Sequence, residues 1–205
     1  MKILLIGPQG SGKGTLGSLL SDHLGIPFIS VGDLLRDLSE NSPYYKEAGT
    51  YMEKGLLVPF DTMSAIIRER ISHEDCAKGF IMDGWCRRMD DLKALDPEFD
   101  LVFVLDISHD TSIKRITGRR ICTSDEKTYN IYTLPKEELE ECTGELIQRE
   151  DDTKEAVEIR LNIYYTQTQK VIDYFEKQGL LNVIDGEGMP KEVFQNALSV
   201  LESLS

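Results

Sequence analysis

Ten residues near the N-terminus, "GPQGSGKGTL" at 7 to 16, follow the apolar run "KILLI" and combine four glycines with one lysine and two hydroxyls. Glycine admits backbone angles closed to other residues, so Gly7, Gly10, Gly12 and Gly14 let successive amide N–H groups turn toward one anion. A helix starting near Lys13 would add the positive end of its dipole. Gly10, Ser11, Gly12 and Gly14 therefore read as a polyphosphate cradle. Lys13 reads as a point charge on the outer phosphates, and Thr15 as a hydroxyl for Mg²⁺ or a phosphate oxygen. The pattern G-x-x-x-x-G-K-[ST] fits except at its end, where Gly14 takes the Ser/Thr position and Thr15 follows.

Arginine supplies the next chemistry. Arg36, Arg87, Arg88, Arg115, Arg119, Arg120, Arg149 and Arg160 fall at turns or helix starts, several beside glycine or aspartate, in "SVGDLLR", "MDGWCRR", "TGRR" and "QREDD". Phosphoryl transfer asks the protein for positioning and charge neutralisation, and bidentate guanidinium groups supply both. The net charge of −13 opposes nonspecific attraction to nucleic acid or to an anionic membrane. Neither is expected as a partner; an anionic small molecule must meet arginines gathered locally.

These side chains need elements to hold them. Short apolar, β-rich runs recur as "KILLI" at 2 to 6, "PFIS" at 27 to 30, "GFIMD" at 79 to 83, "LVFVLD" at 101 to 106 and "LNVID" at 181 to 185. Near-continuous apolarity predicts strands covered on both faces, as in a parallel sheet. Between them lie helical patterns, such as the face formed by Leu16, Leu19, Leu20 and Leu24 and ended by Gly25 and Pro27. Alternating strand and helix means α/β. Two stretches break the rhythm and read as inserts. Residues 31 to 59 suggest short helices without a strand, and residues 121 to 157 suggest a charged, hairpin-like excursion around "TYNIY". The tail from Lys191 predicts an amphipathic helix.

The 205 residues are enough for one main core and too few for two full domains. A hydrophobic content of 40% with no apolar stretch near membrane length predicts a soluble protein. The N-terminus lacks the cleavage site of a signal peptide, which places the chain in the cytoplasm. Cys76, Cys86, Cys122 and Cys142 are scattered, so no disulfide framework is expected in a reducing compartment, and metal stays open for two of them.

In order and spacing, "GPQGSGKGT", "SVGDLLR", "KGLLVP", "GFIMDGWCRR", "RITGRR" and "QREDD" followed by Arg160 resemble the motifs of adenylate kinases and related nucleoside monophosphate kinases. The resemblance implies a P-loop NTPase-type α/β core with a five-stranded parallel sheet, made of residues 1–30, 60–120 and 158–205. It implies a helical monophosphate-binding arm at 31–59 and an inserted lid at 121–157. It also implies a monomer that transfers a phosphoryl group from Mg-ATP to AMP, giving two ADP. On the ATP side it assigns Gly10 to Thr15, Arg115 stacked on adenine, Arg119, Thr128, Tyr129 and Gly188. Thr15 and, through water, Asp83 would hold Mg²⁺. On the acceptor side it assigns Val31, Arg36, Leu56, Leu57, Val58, Gly84, Arg87 and Asp91. Arg119, Arg149 and Arg160 would clamp the transferring group, with Lys13 and Arg87 completing the catalytic set. Asp151 and Asp152 would orient the arginines or hinge the lid; as first-turn acids they would merely suit a helix start.

Three departures from that family pattern bear on function. Where the family reads D-G-F-P-R, this chain reads "DGWCR", so Cys86 replaces a proline that is normally cis; either the turn relaxes or packing imposes the strain. Phosphoryl transfer needs no thiol, so Cys86 is not read as a nucleophile. Val31 and Asp91 stand where the family has a base-facing threonine and an adenine-reading glutamine. An ionised aspartate only accepts, which suits guanine's donors and keeps GMP open beside AMP, with pyrimidine monophosphates behind. In the lid, Cys122, Asp125 and Cys142 keep three of four zinc positions and Leu139 takes the fourth, so structural zinc is not expected. Two other classes share the glycine loop. A nucleotide-binding switch would not need arginines from two inserts, and a small-metabolite kinase would lack "SVGDLLR" and "KGLLVP".

Overall fold

A computed structural model describes residues 1–54, 56–149 and 152–204. The five predicted runs become β1 (Lys2–Ile6), β2 (Phe28–Ser30), β3 (Phe80–Asp83), β4 (Leu101–Asp106) and, at the far end of the chain, β8 (Leu181–Asp185). They form one parallel sheet in the order β2-β3-β1-β4-β8, with Leu4 opposite Met82 on one side and Val102 on the other. Side chains alternate across a strand, so β1 feeds both faces. Leu4 and Ile6 join Met63, Ile67, Val171 and Phe175 in one buried cluster, while Ile3 and Leu5 join Leu16, Leu20, Val193 and Ala197 in the other. Covering helices on both faces explain why the strands are apolar throughout.

The helices between these strands are α1 (Lys13–Leu24), α2 (Val31–Arg36), α3 (Tyr45–Glu53), α4 (Phe60–Ile71), α5 (Met89–Ala94) and α6 (His109–Thr117). Helix α1 ends as its sequence predicts, with Gly25 in the left-handed region at φ 64°. Gly17 is required by proximity: a Cβ there would lie 2.2 Å from the Phe28 ring, so α1 settles directly onto β2. Between β2 and α4 the described residues make α2 and α3, the stretch 37–44 between them and irregular backbone at 56–59, without a strand.

After α6 the chain leaves the parallel sheet. Strands β5 (Arg119–Cys122), β6 (Thr128–Asn130) and β7 (Leu146–Ile147) form a second, antiparallel sheet in the order β6-β5-β7, with the single turn α7 (Lys136–Leu139) between the last two. This sheet begins at Arg119, two residues before the insert read from the sequence. The chain returns through α8 (Lys154–Ile163), a π-helical turn at Tyr164–Thr168 and α9 (Gln169–Lys177), and closes with α10 (Pro190–Ser203). No helix among the described residues is long and apolar enough to cross a membrane.

Candidate active site

In an open parallel sheet the strand ends leave a crevice where connections diverge to opposite sides, and here they diverge between β1 and β4. The loop from Gly7 to Gly12 leaves β1 at that point and feeds α1. Gly10 and Gly12 sit at φ 77° and 93°, which supplies the predicted glycine geometry. Ser11 is buried, and Lys13 turns back over the loop, its Nζ donating to the Gly7 and Pro8 carbonyls at 2.9 Å each and to Ser11 Oγ at 3.3 Å.

A cleft of ≈ 1140 Å³ opens above this loop, and it gathers every site residue named above for ATP and acceptor. From the loop come Gly10, Ser11, Gly12, Lys13, Gly14 and Thr15. The segment between β2 and α4 contributes Val31, Arg36, Leu56, Leu57 and Val58. The end of β3 and the turn beyond it supply Asp83, Gly84, Arg87 and Asp91. Arg115, Arg119, Thr128 and Tyr129 enter from α6 and the antiparallel sheet, Arg149 and Arg160 from its far side, and Gly188 from beyond β8. Asp151 lies outside the described residues. The cleft is also lined by Arg88, Glu126 and Asn130, for which the sequence reading had no role.

Positive charges crowd this cleft in an acidic protein. Burial, and then the proximity of Arg87 and Arg119, pull the Lys13 ammonium below its ordinary pKa, with Asp83 opposing. Arg87 is lowered by burial and by Arg160 and Arg36, and Arg149 by burial and by Arg119 and Arg36. Cations that lower one another's pKa are held together by the fold against their own repulsion, which is the electrostatics of a polyanion site.

The carboxylates hold these cations in place. Asp152, fully buried, takes Arg119 in a two-pronged pair, with Nε donating to Oδ2 at 2.7 Å and Nη2 to Oδ1. Asp33 pairs with Arg36 at 2.5 Å and stands 3.9 Å from Arg149, so one carboxylate faces guanidinium groups from both inserts. Burial raises the Asp33 pKa, but hydrogen bonds from Ser30 and Arg36 outweigh it and the net shift is downward. Arg115 ties strand ends together, donating to the carbonyls of Gly10 (3.3 Å), Gly186 (2.8 Å) and Glu187 (3.1 Å). Thr168, in the π-helical turn, donates to the Arg87 carbonyl at 2.9 Å; no local pattern could have shown that contact across 81 residues.

Among the described residues two buried side-chain oxygens lack a hydrogen-bond partner, Gln9 Oε1 and Asp83 Oδ1. A carboxylate oxygen left bare at the mouth of a phosphate loop fits a water-bearing divalent cation, the chemistry expected of Asp83.

A family model described as adenylate kinase matches residues 5–180. The chain belongs to the adenylate kinase family. An adenylate kinase of Thermodesulfovibrio yellowstonii is 40% identical to it, covering 98% of this chain and 99% of that protein. One from Clostridium kluyveri is 39% identical over 98% of each, and one from Clostridium tetani 40% identical over the full length of both. As a member of the adenylate kinase family the chain is a phosphotransferase, which sets aside the non-catalytic switch.

Against the family pattern, three expectations need correction or resolution. The cysteines do form a disulfide: Cys122 and Cys142 are bonded to each other, with Cα atoms 5.8 Å apart. The sulfurs weighed as zinc ligands are thus spent on one another. Asp125 turns away to accept from Lys127 N–H (3.0 Å) and the Tyr129 hydroxyl (3.2 Å). Sheet β5-β7 brings the two cysteines together, a pairing invisible in scattered positions. The turn "DGWCR" has no cis peptide bond among the described residues; the buried Cys86 takes a left-handed φ of 55° instead, a conformation that its packed surroundings impose. Burial, and then Asp91 and Asp96, push the Cys86 thiol well above its usual pKa, so it is no nucleophile. Asp91 is not a carboxylate free to accept from a base. Its Oδ2 takes the N–H groups of Arg87 (2.9 Å) and Arg88 (3.0 Å), and its Oδ1 takes Arg88 Nε (2.9 Å).

Proposed function

We propose that this enzyme transfers a phosphoryl group reversibly from Mg-ATP to AMP, giving two ADP. The observation that carries the reading is the convergence of Lys13, Arg36, Arg87, Arg119, Arg149 and Arg160 on the cleft above the phosphate loop. Gly10 to Thr15 would cradle the ATP phosphates, with Arg115, Thr128, Tyr129 and Gly188 around its nucleoside. Arg36 and Arg87 would hold the acceptor phosphate in line. Arg119, Arg149 and Arg160 would neutralise charge that builds on the transferring group, where preorganised cations act most strongly. Thr15 and Asp83 would hold Mg²⁺, which when bound supplies charge neutralisation between the phosphates.

Residues 31–59 act in this reading as the acceptor arm and the antiparallel insert as a lid. Their arginines complete the site only when both cover it, which excludes water as a competing acceptor. Asp151, next to Asp152, is assigned here to orienting those arginines. The acceptor is read as AMP because residues 56–58 offer backbone groups to the adenine edge, and because Asp91 is engaged elsewhere and presents no carboxylate for guanine's donors. The enzyme is read as a monomer working in the cytoplasm, where nucleotides of this kind are met. The lid is knotted by its disulfide rather than by zinc.

A coupled assay of ATP against AMP, GMP, CMP, UMP and dTMP tests the proposal. AMP should give the highest kcat/KM by at least about tenfold; a higher value with any other monophosphate overturns the acceptor assignment.

A further inference from the structure

Arg88 stands in the wall of the proposed acceptor side and touches both loops that form it. Its Nη2 donates to the Val58 carbonyl at 2.6 Å and its Nε to Asp91 Oδ1 at 2.9 Å. The guanidinium carbon lies 6.0 Å from the centroid of the Phe60 ring, at the first residue of α4. Asp91 is a firm anchor, because its other oxygen is fixed by two backbone N–H groups and its side chain is only 6% exposed. Residues 56–59, by contrast, form neither helix nor strand, and Leu56 is 47% exposed. Val58 is itself buried and the Leu56 N–H donates to the Tyr51 carbonyl at 2.9 Å, so Arg88 adds a side-chain grip to a backbone that has no regular structure of its own.

We propose that Arg88 is a positioning residue that locks the 56–58 backbone against the Gly84–Asp91 turn and thereby sets the acceptor-base pocket. The inference rests on the adenylate kinase reading above. A planar guanidinium serves a carboxylate and a carbonyl at once through separate N–H groups in a fixed fork, which the single ammonium of lysine cannot reproduce. The two loops it joins are 30 residues apart in sequence. Leu57, Val58, Gly84 and Arg87 all line the cleft, so a bridge between their two loops bears on the spacing into which a base must fit. A pocket already held at that spacing spares the acceptor the entropy of ordering it. The effect falls on acceptor binding, while the ATP side, built on the phosphate loop and Arg115, is untouched.

The test compares wild type with Arg88→Met, which keeps the apolar stem, and Arg88→Lys, which keeps the charge and one donor. Steady-state kinetics with each nucleotide varied, and amide hydrogen exchange of free protein, are read together. Arg88→Met should raise KM for AMP about tenfold, with Arg88→Lys intermediate, while kcat and KM for ATP stay within about twofold. Exchange at 56–58 should speed up in both variants, and exchange in β1, β3 and β4 should not change. Wild-type KM for AMP and wild-type exchange at 56–58 in either folded variant would overturn the inference while leaving AMP turnover, and so the parent reading, standing. Equal losses toward ATP and AMP would also overturn it, as the mark of a general structural role. A wild type that does not phosphorylate AMP overturns the reading and the inference together. If Arg88→Met does not fold, Arg88→Lys decides alone.

Discussion

Single residues here divide into those that serve ligand charge and those that hold them. Lys13 is of the first kind: its Nζ finds only carbonyls and a hydroxyl for hydrogen bonds, at a site crowded with other cations. Lys13→Met should lower kcat at least about 100-fold, since a preorganised charge on the transferring group is lost. Its effect on folding has the opposite sign. The folded pKa lies below the ordinary 10.5, so the unfolded chain binds the proton more tightly, and the cost of burying the ammonium is fully present below the folded value. Near neutral pH the variant should melt no lower than wild type, and its advantage should shrink as pH rises through that folded value toward 10.5, in melts recorded across that range. Asp152 is of the second kind. Asp152→Ala strips the carboxylate from Arg119 and should cost about 3 kcal/mol. That is a fall in Tm of roughly 6 to 12 °C by calorimetry, and turnover should fall with it because Arg119 is no longer aimed.

Elements differ in how they are tied down. The five core strands are held by burial on two faces, whereas the antiparallel strands β5 to β7 are short and bury only Cys122 and Tyr129 among their hydrophobic side chains. Its disulfide closes a loop of sequence separation 20 and does the work a larger core does elsewhere. Cross-links of that span stabilise by about 3 kcal/mol, mainly through the unfolded chain. Reductant, or Cys142→Ser, should therefore lower the melting temperature of the insert. Thiol titration of denatured protein should find two free groups before reduction and four after, matching free Cys76 and Cys86. Elemental analysis should show well below one zinc per chain; stoichiometric zinc with four free thiols would mean that the knot is a metal site. The bridging contact from Asp33 to both Arg36 and Arg149 belongs to this scale too, since it links the segment after β2 to the segment after β7.

For the whole molecule, the cleft is lined from the phosphate loop, the segment after β2, the end of β3 and the antiparallel sheet, and a ligand filling the proposed ATP and acceptor sites would join them. Such a ligand binds only the folded chain, so at about 100 times its Kd it should stabilise by about 2.7 kcal/mol. A bisubstrate analogue with two adenosines linked by a polyphosphate should raise Tm by roughly 5 to 11 °C. An analogue with guanosine in place of one adenosine should raise it less. The net charge of −13 opposes the long-range approach of an anion to this cationic cleft, so screening by raised salt should weaken the specific clamp only modestly.

The sequence by itself determined the strands, the phosphate loop and the arginine inventory. Each is set by local physics: apolar runs of strand length, glycine where φ must be positive, a charge that no core accepts. Hence β1, β4 and β8 match the predicted runs residue for residue, and Gly10, Gly12 and Lys13 stand as expected. What a side chain faces was another matter. That Cys122 meets Cys142, that Asp91 turns onto Arg87 and Arg88, that Arg88 reaches Val58 and that Thr168 holds Arg87 are contacts between segments far apart or around an irregular turn. They follow from strand order and from which rotamer the packed surroundings leave open, and composition, spacing and periodicity carry neither. The same aspartate type caps a turn at 91, anchors an arginine at 152 and is left bare at 83, because the tertiary structure alone decides which carboxylate finds a partner.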